Sequence, residues 1–222
     1  MPRGGRHRNA GIGALALGLA WFAGAATPPD GATLPVSQPA TAPGTHDDAA
    51  AVPATTRWTI DGARSTAQFR IRLLGIVPMS GEFTRLHGEI TFDAARSEAR
   101  VDAWLPSGEV RMDNESHAAW ARSPEFFDAA NHPTIHFRSR PMPQSVLRDG
   151  GAIDGELTLR GVTREVGLKV ERGDCEPAQA RECSIEVYGQ VRRSDFGMAA
   201  RRATVGDWVS LRLRIVAGVE GD

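Results

Sequence analysis

Ala67-Gln68-Phe69-Arg70-Ile71-Arg72-Leu73 sets an apolar side chain on every odd number and a polar one on every even number. Successive strand side chains point to opposite faces, so this stretch reads as a strand with one greasy face and one wet face. The odd-numbered pattern returns at Ile153-Leu157-Leu159, at Ile185-Val187-Val191 and at Val209-Leu211-Leu213-Ile215. With almost no helical period after Arg57, the pattern predicts an all-β domain whose sheet curls around a hydrophobic inside. Closing such a sheet removes its edges, and an antiparallel barrel of about eight strands is wide enough to hold one small ligand.

Strands are expected over 57–61, 65–74, 81–93, 98–106, 133–141, 152–160, 163–172, 183–193 and 207–218. Turn residues punctuate them at Gly62, from Pro78 to Gly81, at Asp149-Gly150-Gly151, at Arg160-Gly161 and at Gly206-Asp207. Phe83 is odd while Leu86, Ile90 and Phe92 are even, which predicts a bulge near Arg85. One segment breaks the strand pattern. Asp113 to Arg122 is helix-compatible, with Asp113 or Asn114 as N-cap and a stop at Ser123-Pro124. Glu125-Phe126-Phe127-Asp128 follows, so Trp120, Phe126 and Phe127 are the candidates for a lid over one barrel end.

Ahead of the barrel lie two other materials. Arg3, Arg6 and Arg8, the uncharged run from Ile12 to Ala23 and the small residues Ala23-Gly24-Ala25-Ala26 read as a cleaved export signal over 1–26. The apolar run is shorter than the ~20 residues a bilayer span needs. Residues 27–56 are rich in Ala, Pro and Thr and contain six prolines and no aromatic residue, the composition of a disordered linker. Residues 57–222 then form one domain, large enough to bury a sizeable core. A net charge of −1 gives no electrostatic case for nucleic acid. In an exported chain, Cys175 and Cys183 flanking a short Pro-containing loop read as a disulfide that staples a hairpin.

No catalytic constellation emerges. Asp195-Phe196-Gly197 spells a kinase magnesium motif without the glycine-rich loop or catalytic loop such an enzyme needs. His132 and His136 stand about 13 Å apart along a strand, so they and His117 do not compose a metal site. No serine sits in a nucleophile elbow. Asp154 and Glu156 fall at the outward parity. Neither a metal nor a cofactor is expected.

Several strings together resemble the YceI-like family, the bacterial periplasmic proteins that bind lipids and polyisoprenoids. They are Trp58-Thr59-Ile60-Asp61 with Ser65 and Phe69, Gly81-Glu82-Phe83 and Ile90-Thr91-Phe92-Asp93. Ser123-Pro124-Glu125-Phe126-Phe127-Asp128, His132-Pro133 and Ile135-His136-Phe137 follow. The set ends with Gly155-Glu156-Leu157-Thr158-Leu159-Arg160-Gly161-Val162-Thr163 and Arg193-Ser194-Asp195-Phe196-Gly197. The resemblance covers residues 57–219. It implies a lipocalin-like extended antiparallel barrel of eight main strands, a periplasmic address, and a long isoprenoid or similar amphiphile in the lumen. The chain departs from the family pattern at Arg64, at Arg72-Leu73 and from His117 to Ala121, where relatives carry polar residues suited to a head group.

By parity, Phe69, Ile71, Val101, Ile135, Phe137, Leu157, Leu159, Ile185, Val187, Leu211 and Leu213 face the lumen. The same residues would also serve as an ordinary packed core. Two rival functions stay open in the sequence: an enzyme acting on a held lipid, and a ligand-free module acting through its outer surface beside the membrane or a membrane redox protein. The oligomeric state, a homodimer included, is equally open.

Overall fold

The computed structural model describes residues 55–219; the export signal and nearly all of the linker lie outside that range. Twelve strands build the domain: β1 (Thr55–Ile60), β2 (Thr66–Leu73), β3 (Val77–Phe83), β4 (His87–Asp93), β5 (Glu98–Pro106) and β6 (Val110–Met112), then β7 (Thr134–Ser139), β8 (Met142–Pro143), β9 (Gly151–Leu159), β10 (Val162–Gly173), β11 (Glu182–Arg192) and β12 (Trp208–Gly218). Two short helices, α1 (Glu115–Arg122) and α2 (Val146–Asp149), complete it. Hydrogen bonding runs β1-β4-β5-β7-β9-β10-β11-β12-β2-β3-β6, and β1 pairs with β12 as well as with β4.

Those pairings close an antiparallel barrel of eight staves, three of them broken in the middle. β1 and β2 lie end to end along β12; β4 and β3 lie end to end along β1 and β2; β5 and β6 continue the same arrangement. The three breaks, at 61–65, 84–86 and 107–109, therefore form one seam across the wall. Each break shifts parity by one residue. Buried side chains are even in β1 (Trp58, Ile60) and odd in β2, odd in β3 and even in β4, odd in β5 and even in β6.

The seam corrects two sequence expectations. Residues 81–93 are not one bulged strand: the chain leaves β3 at Phe83, passes Arg85 at φ 67°, and restarts as β4. Pro78 to Gly81 is not a turn either but lies within β3, where Pro78 is exposed. The turn is Leu74-Gly75-Ile76. The wall tolerates the seam because its polar groups are satisfied locally. The Ser65 hydroxyl accepts from the Val216 N–H at 2.9 Å and donates to its carbonyl, and the buried Ser107 hydroxyl donates to the His132 carbonyl at 2.6 Å. A Cβ on Gly62 would run into the Leu86 carbonyl, so glycine is required at this crossing.

The β9–β10 hairpin turns through two residues, Arg160 (φ 54°) and Gly161 (71°), and β2–β3 through three, Leu74, Gly75 and Ile76, with Leu74 (50°) and Gly75 (75°) in the same positive-φ pair. That geometry matches strand twist and favours Asn-Gly or Asp-Gly. Both turns sit at one end of the barrel, called here the mouth. The β4–β5 connection, α2 and the loop after β10 sit at the other. β1 begins at Thr55, two residues before the expected domain start. Gly197 takes φ 76° as the residue that ends the turn Arg193–Phe196. The helix expected from Asp113 is α1, capped by the Asn114 side chain, which accepts the His117 N–H at 2.9 Å.

Candidate functional site

The alternation brings the odd-numbered side chains of β2, β9, β11 and β12 to one interior, and that interior is only half filled. Toward the end opposite the mouth it is solid. Trp58 meets Phe92 edge-on with ring centres 5.1 Å apart, Leu147 of α2 is fully buried, and Val170 and the Cys175–Cys183 disulfide pack beside it. From Ile215 to Val209 on β12, a length of about 20 Å along a strand, a cavity of about 180 Å³ remains.

All eleven residues placed inside by parity line that cavity, and so do Trp120, Phe126 and Phe127. Phe69 and Phe137 lie over glycines: a Cβ on Gly81 or on Gly155 would overlap their rings. The parity reading missed Met79, Met112, Met198 and Val205, which reach the cavity from strand ends, a short strand and a loop. Met79 shares the odd parity of Phe83 but falls in a stretch expected to be a turn, and no periodicity marks Met198 or Val205, which only the topology puts there. Methionine is flexible and polarizable, so three of them near the mouth make that half of the lumen adaptable.

Among the described residues, the lining includes two polar residues, Gln68 and Arg193, and the Gln68 side chain lies on the outer face, where it donates to Glu82. Arg193 is 1 % exposed. Its guanidinium donates to the carbonyls of Gly206 (2.9 Å), Val205 (2.9 Å) and Met198, and lies 5.8 Å from the Phe126 ring centre. Burial pulls it below its ordinary pKa. It stitches the 198–206 loop over the mouth and presents no catalytic group to the lumen.

The rest of the mouth is closed by rings. Phe127 meets Phe69 and Phe83 edge-on at 5.8 and 5.3 Å, and Trp120 meets Phe126 at 4.3 Å. A surface latch ties these parts together: the Trp120 indole and Arg201 both donate to Glu125 Oε2, at 2.9 and 3.0 Å. Arg201 first, and Trp120 second, hold the Glu125 carboxyl below its usual range.

Of the three departures from the family pattern, Arg64 and Arg72-Leu73 fall outside the lumen, while the 117–121 stretch brings Trp120 and Ala121 onto its lining. Arg64 is exposed and pairs with Asp61 and Glu182; Arg72 is exposed, with Leu73 half-buried at the strand end; the His117 ring contacts Asn114. His132 and His136 pair separately, with Asp128 at 3.8 Å and Asp102 at 2.5 Å. Asp174, Cys175 and Cys183 cluster, but both thiols are spent in the disulfide.

The family model for the YceI-like domain matches residues 58–217. The protein YceI of Escherichia coli O157:H7 is 29 % identical over 167 residues, covering 72 % of this chain and 83 % of that one. Among solved structures, Burkholderia cenocepacia BcnA superposes with a TM-score of 0.61 at 18 % identity, over 71 % of this chain and 98 % of that one. A polyisoprenoid binding domain from Saccharophagus degradans, implicated in plant cell wall breakdown, gives 0.56 at 15 %, over 73 % and 98 %. At these identities the structural likeness is one of fold.

Proposed function

The chain belongs to the YceI-like family, and from that premise we propose that it is a binding protein, exported to the periplasm, that carries a polyisoprenoid, an isoprenoid quinone or a similar long-chain amphiphile in the barrel lumen. The observation that carries the reading is the contrast inside one barrel: a solid half beside an unfilled half lined by apolar side chains, with Arg193 turned to loop carbonyls, that opens toward a lid of aromatic side chains. An isoprenoid is a chain of apolar units, each buried methylene worth about 0.8 kcal/mol. A lumen that offers no directional partner selects by length and cross-section. The binding named for the Saccharophagus degradans domain agrees with that chemistry. An enzyme acting on the held lipid would need polar groups converging on the cavity, and Arg193 is already committed to three carbonyls.

A cavity of about 150 Å³ accommodates one benzene-sized guest, so the lumen of about 180 Å³ must widen to take a long chain. The Phe69–Phe83–Phe127 cluster and the three methionines are the groups that would yield. The test fills the space without changing its polarity. Leu157→Trp should leave the thermal midpoint within a few degrees of wild type while lowering bound lipid, measured by organic extraction of folded protein. A cost of about 1–3 kcal/mol, typical of overpacking a solid core, with unchanged lipid would contradict the carrier reading.

A further inference from the structure

The mouth carries one feature that the lumen does not use. The β2–β3 turn exposes Leu74 (66 %), Ile76 (75 %) and Val77 (49 %), and Pro78 beside them is exposed too. Leu74 holds φ 50° at a turn position where asparagine is favoured and a bulky side chain is strained. Arg160, at the matching position of the other mouth turn, is polar and instead donates to the Gly197 carbonyl. An apolar residue kept exposed in an unfavourable conformation points to a use for its side chain.

The surroundings specify that use. Arg70 and Arg72 line the outer face of β2 below the tip, and Arg202 lies in the neighbouring loop; none of the three forms an ion pair among the described residues. Trp208, 54 % exposed, stands at the same end with Arg192 stacked 4.7 Å from its ring. Nearby acids are fewer: Asp207 accepts from Ser194, Glu125 is held by Arg201, and Asp195 is exposed. An apolar tip with arginines and a tryptophan behind it is the pattern of an interfacial anchor on an anionic bilayer. A tip of five residues is far smaller than the ~800 Å² per partner of a stable protein interface.

The tip is also continuous with the lumen. Ile71 and Met79 are paired across β2 and β3 and both line the cavity, about 10 Å along the strand from the turn. Val205, another lining residue, bridges to Leu73, and the Leu74 N–H donates to the Thr204 carbonyl at 2.7 Å. We propose that the Leu74–Pro78 turn docks the mouth of the barrel on an anionic lipid surface, so that cargo passes between bilayer and lumen without crossing water. This rests on the carrier reading for its purpose but not for its test.

The test is sedimentation of the exported protein with sucrose-loaded vesicles of phosphatidylglycerol and phosphatidylcholine in equal parts. Uptake of farnesol from detergent micelles is measured in parallel. Wild type should sediment with these vesicles and not with phosphatidylcholine alone. Leu74→Asn should lower vesicle partition about fivefold, and Leu74→Asn with Ile76→Ser more than tenfold, while thermal stability holds or rises because asparagine suits the turn. Arg72→Gln and Arg202→Gln should each cost about fivefold on anionic vesicles. Farnesol uptake from micelles should be unchanged in all of them. Equal sedimentation of wild type and the double variant, or of wild type with both vesicle types, would overturn the inference. So would a wild-type dimer in sedimentation velocity that the double variant abolishes, because the tip would then be a self-association surface. Loss of farnesol uptake together with vesicle binding would place the turn in the lumen rather than in docking. Absence of farnesol uptake in every protein would count against the carrier reading and leave the vesicle result to decide docking.

Discussion

The two ends of this barrel are made of the same residue types and do opposite things. At the closed end Leu147, Trp58, Phe92 and Val170 are buried to 2 % exposure or less, and a disulfide ties β11 to the loop after β10. At the mouth, closure is by Phe127 on Phe69 and Phe83, by Trp120 on Phe126, and by a loop held through one arginine. The first kind of closure is fully buried packing backed by a covalent tie. The second consists of side chains, which move at the cost of a few contacts. A container needs one of each, and stability and ligand exchange should separate along the barrel axis accordingly.

The largest expected effect breaks the closed end. Leu147→Ala leaves a cavity beneath α2 and should cost about 2–5 kcal/mol in urea unfolding without changing the rate of lipid uptake. Phe127→Ala at the mouth should cost less, about 2 kcal/mol for a half-buried ring, and should speed uptake. Equal effects of the two substitutions on uptake would erase the distinction between the ends.

Arg193→Met removes three hydrogen bonds from buried carbonyls, a loss of about 2–4 kcal/mol. Its signature is positional: amide exchange should rise across Met198–Gly206 and stay unchanged in β10 and α2. Next comes the staple. Replacing Cys175 and Cys183 with serine opens a loop with a sequence separation of 8 and should cost about 2–3 kcal/mol, leaving uptake as it was.

The smallest effect is on the latch. Arg201 and Trp120 hold the Glu125 carboxyl below its ordinary value of 4.5, so its contribution is complete above that pH and lost as pH falls through the depressed value. Exchange at the mouth should therefore quicken below about pH 4.5, and Glu125→Gln should remove that pH dependence while leaving the closed end's acid response unchanged. The pair is exposed, and the change should be small.

These contrasts also explain what the sequence could and could not disclose. Period-two alternation is local, so Phe69, Ile71, Leu157, Val187 and Leu211 were readable as inward before any topology was known. The parity fault between Phe83 and Leu86 was visible as well, but its cause was not. A bulge and a seam shared by three neighbouring staves look alike in one segment, and the crossing of Gly62 with Leu86 is a contact between segments. Met198, Val205 and Arg193 escaped for the same reason: a loop folded over a barrel end has no period. That one half of the interior is hollow depends on how ring and methyl volumes sum across staves, which no single strand encodes.

The central claim is that the unfilled half is a lipid site. Native mass spectrometry of the protein, purified without detergent, tests it most directly. The account predicts a folded protein carrying one long-chain amphiphile, released by collisional activation and reduced by Leu157→Trp. A wild-type spectrum showing only unliganded protein, before and after incubation with farnesol and a long-chain quinone, would contradict it.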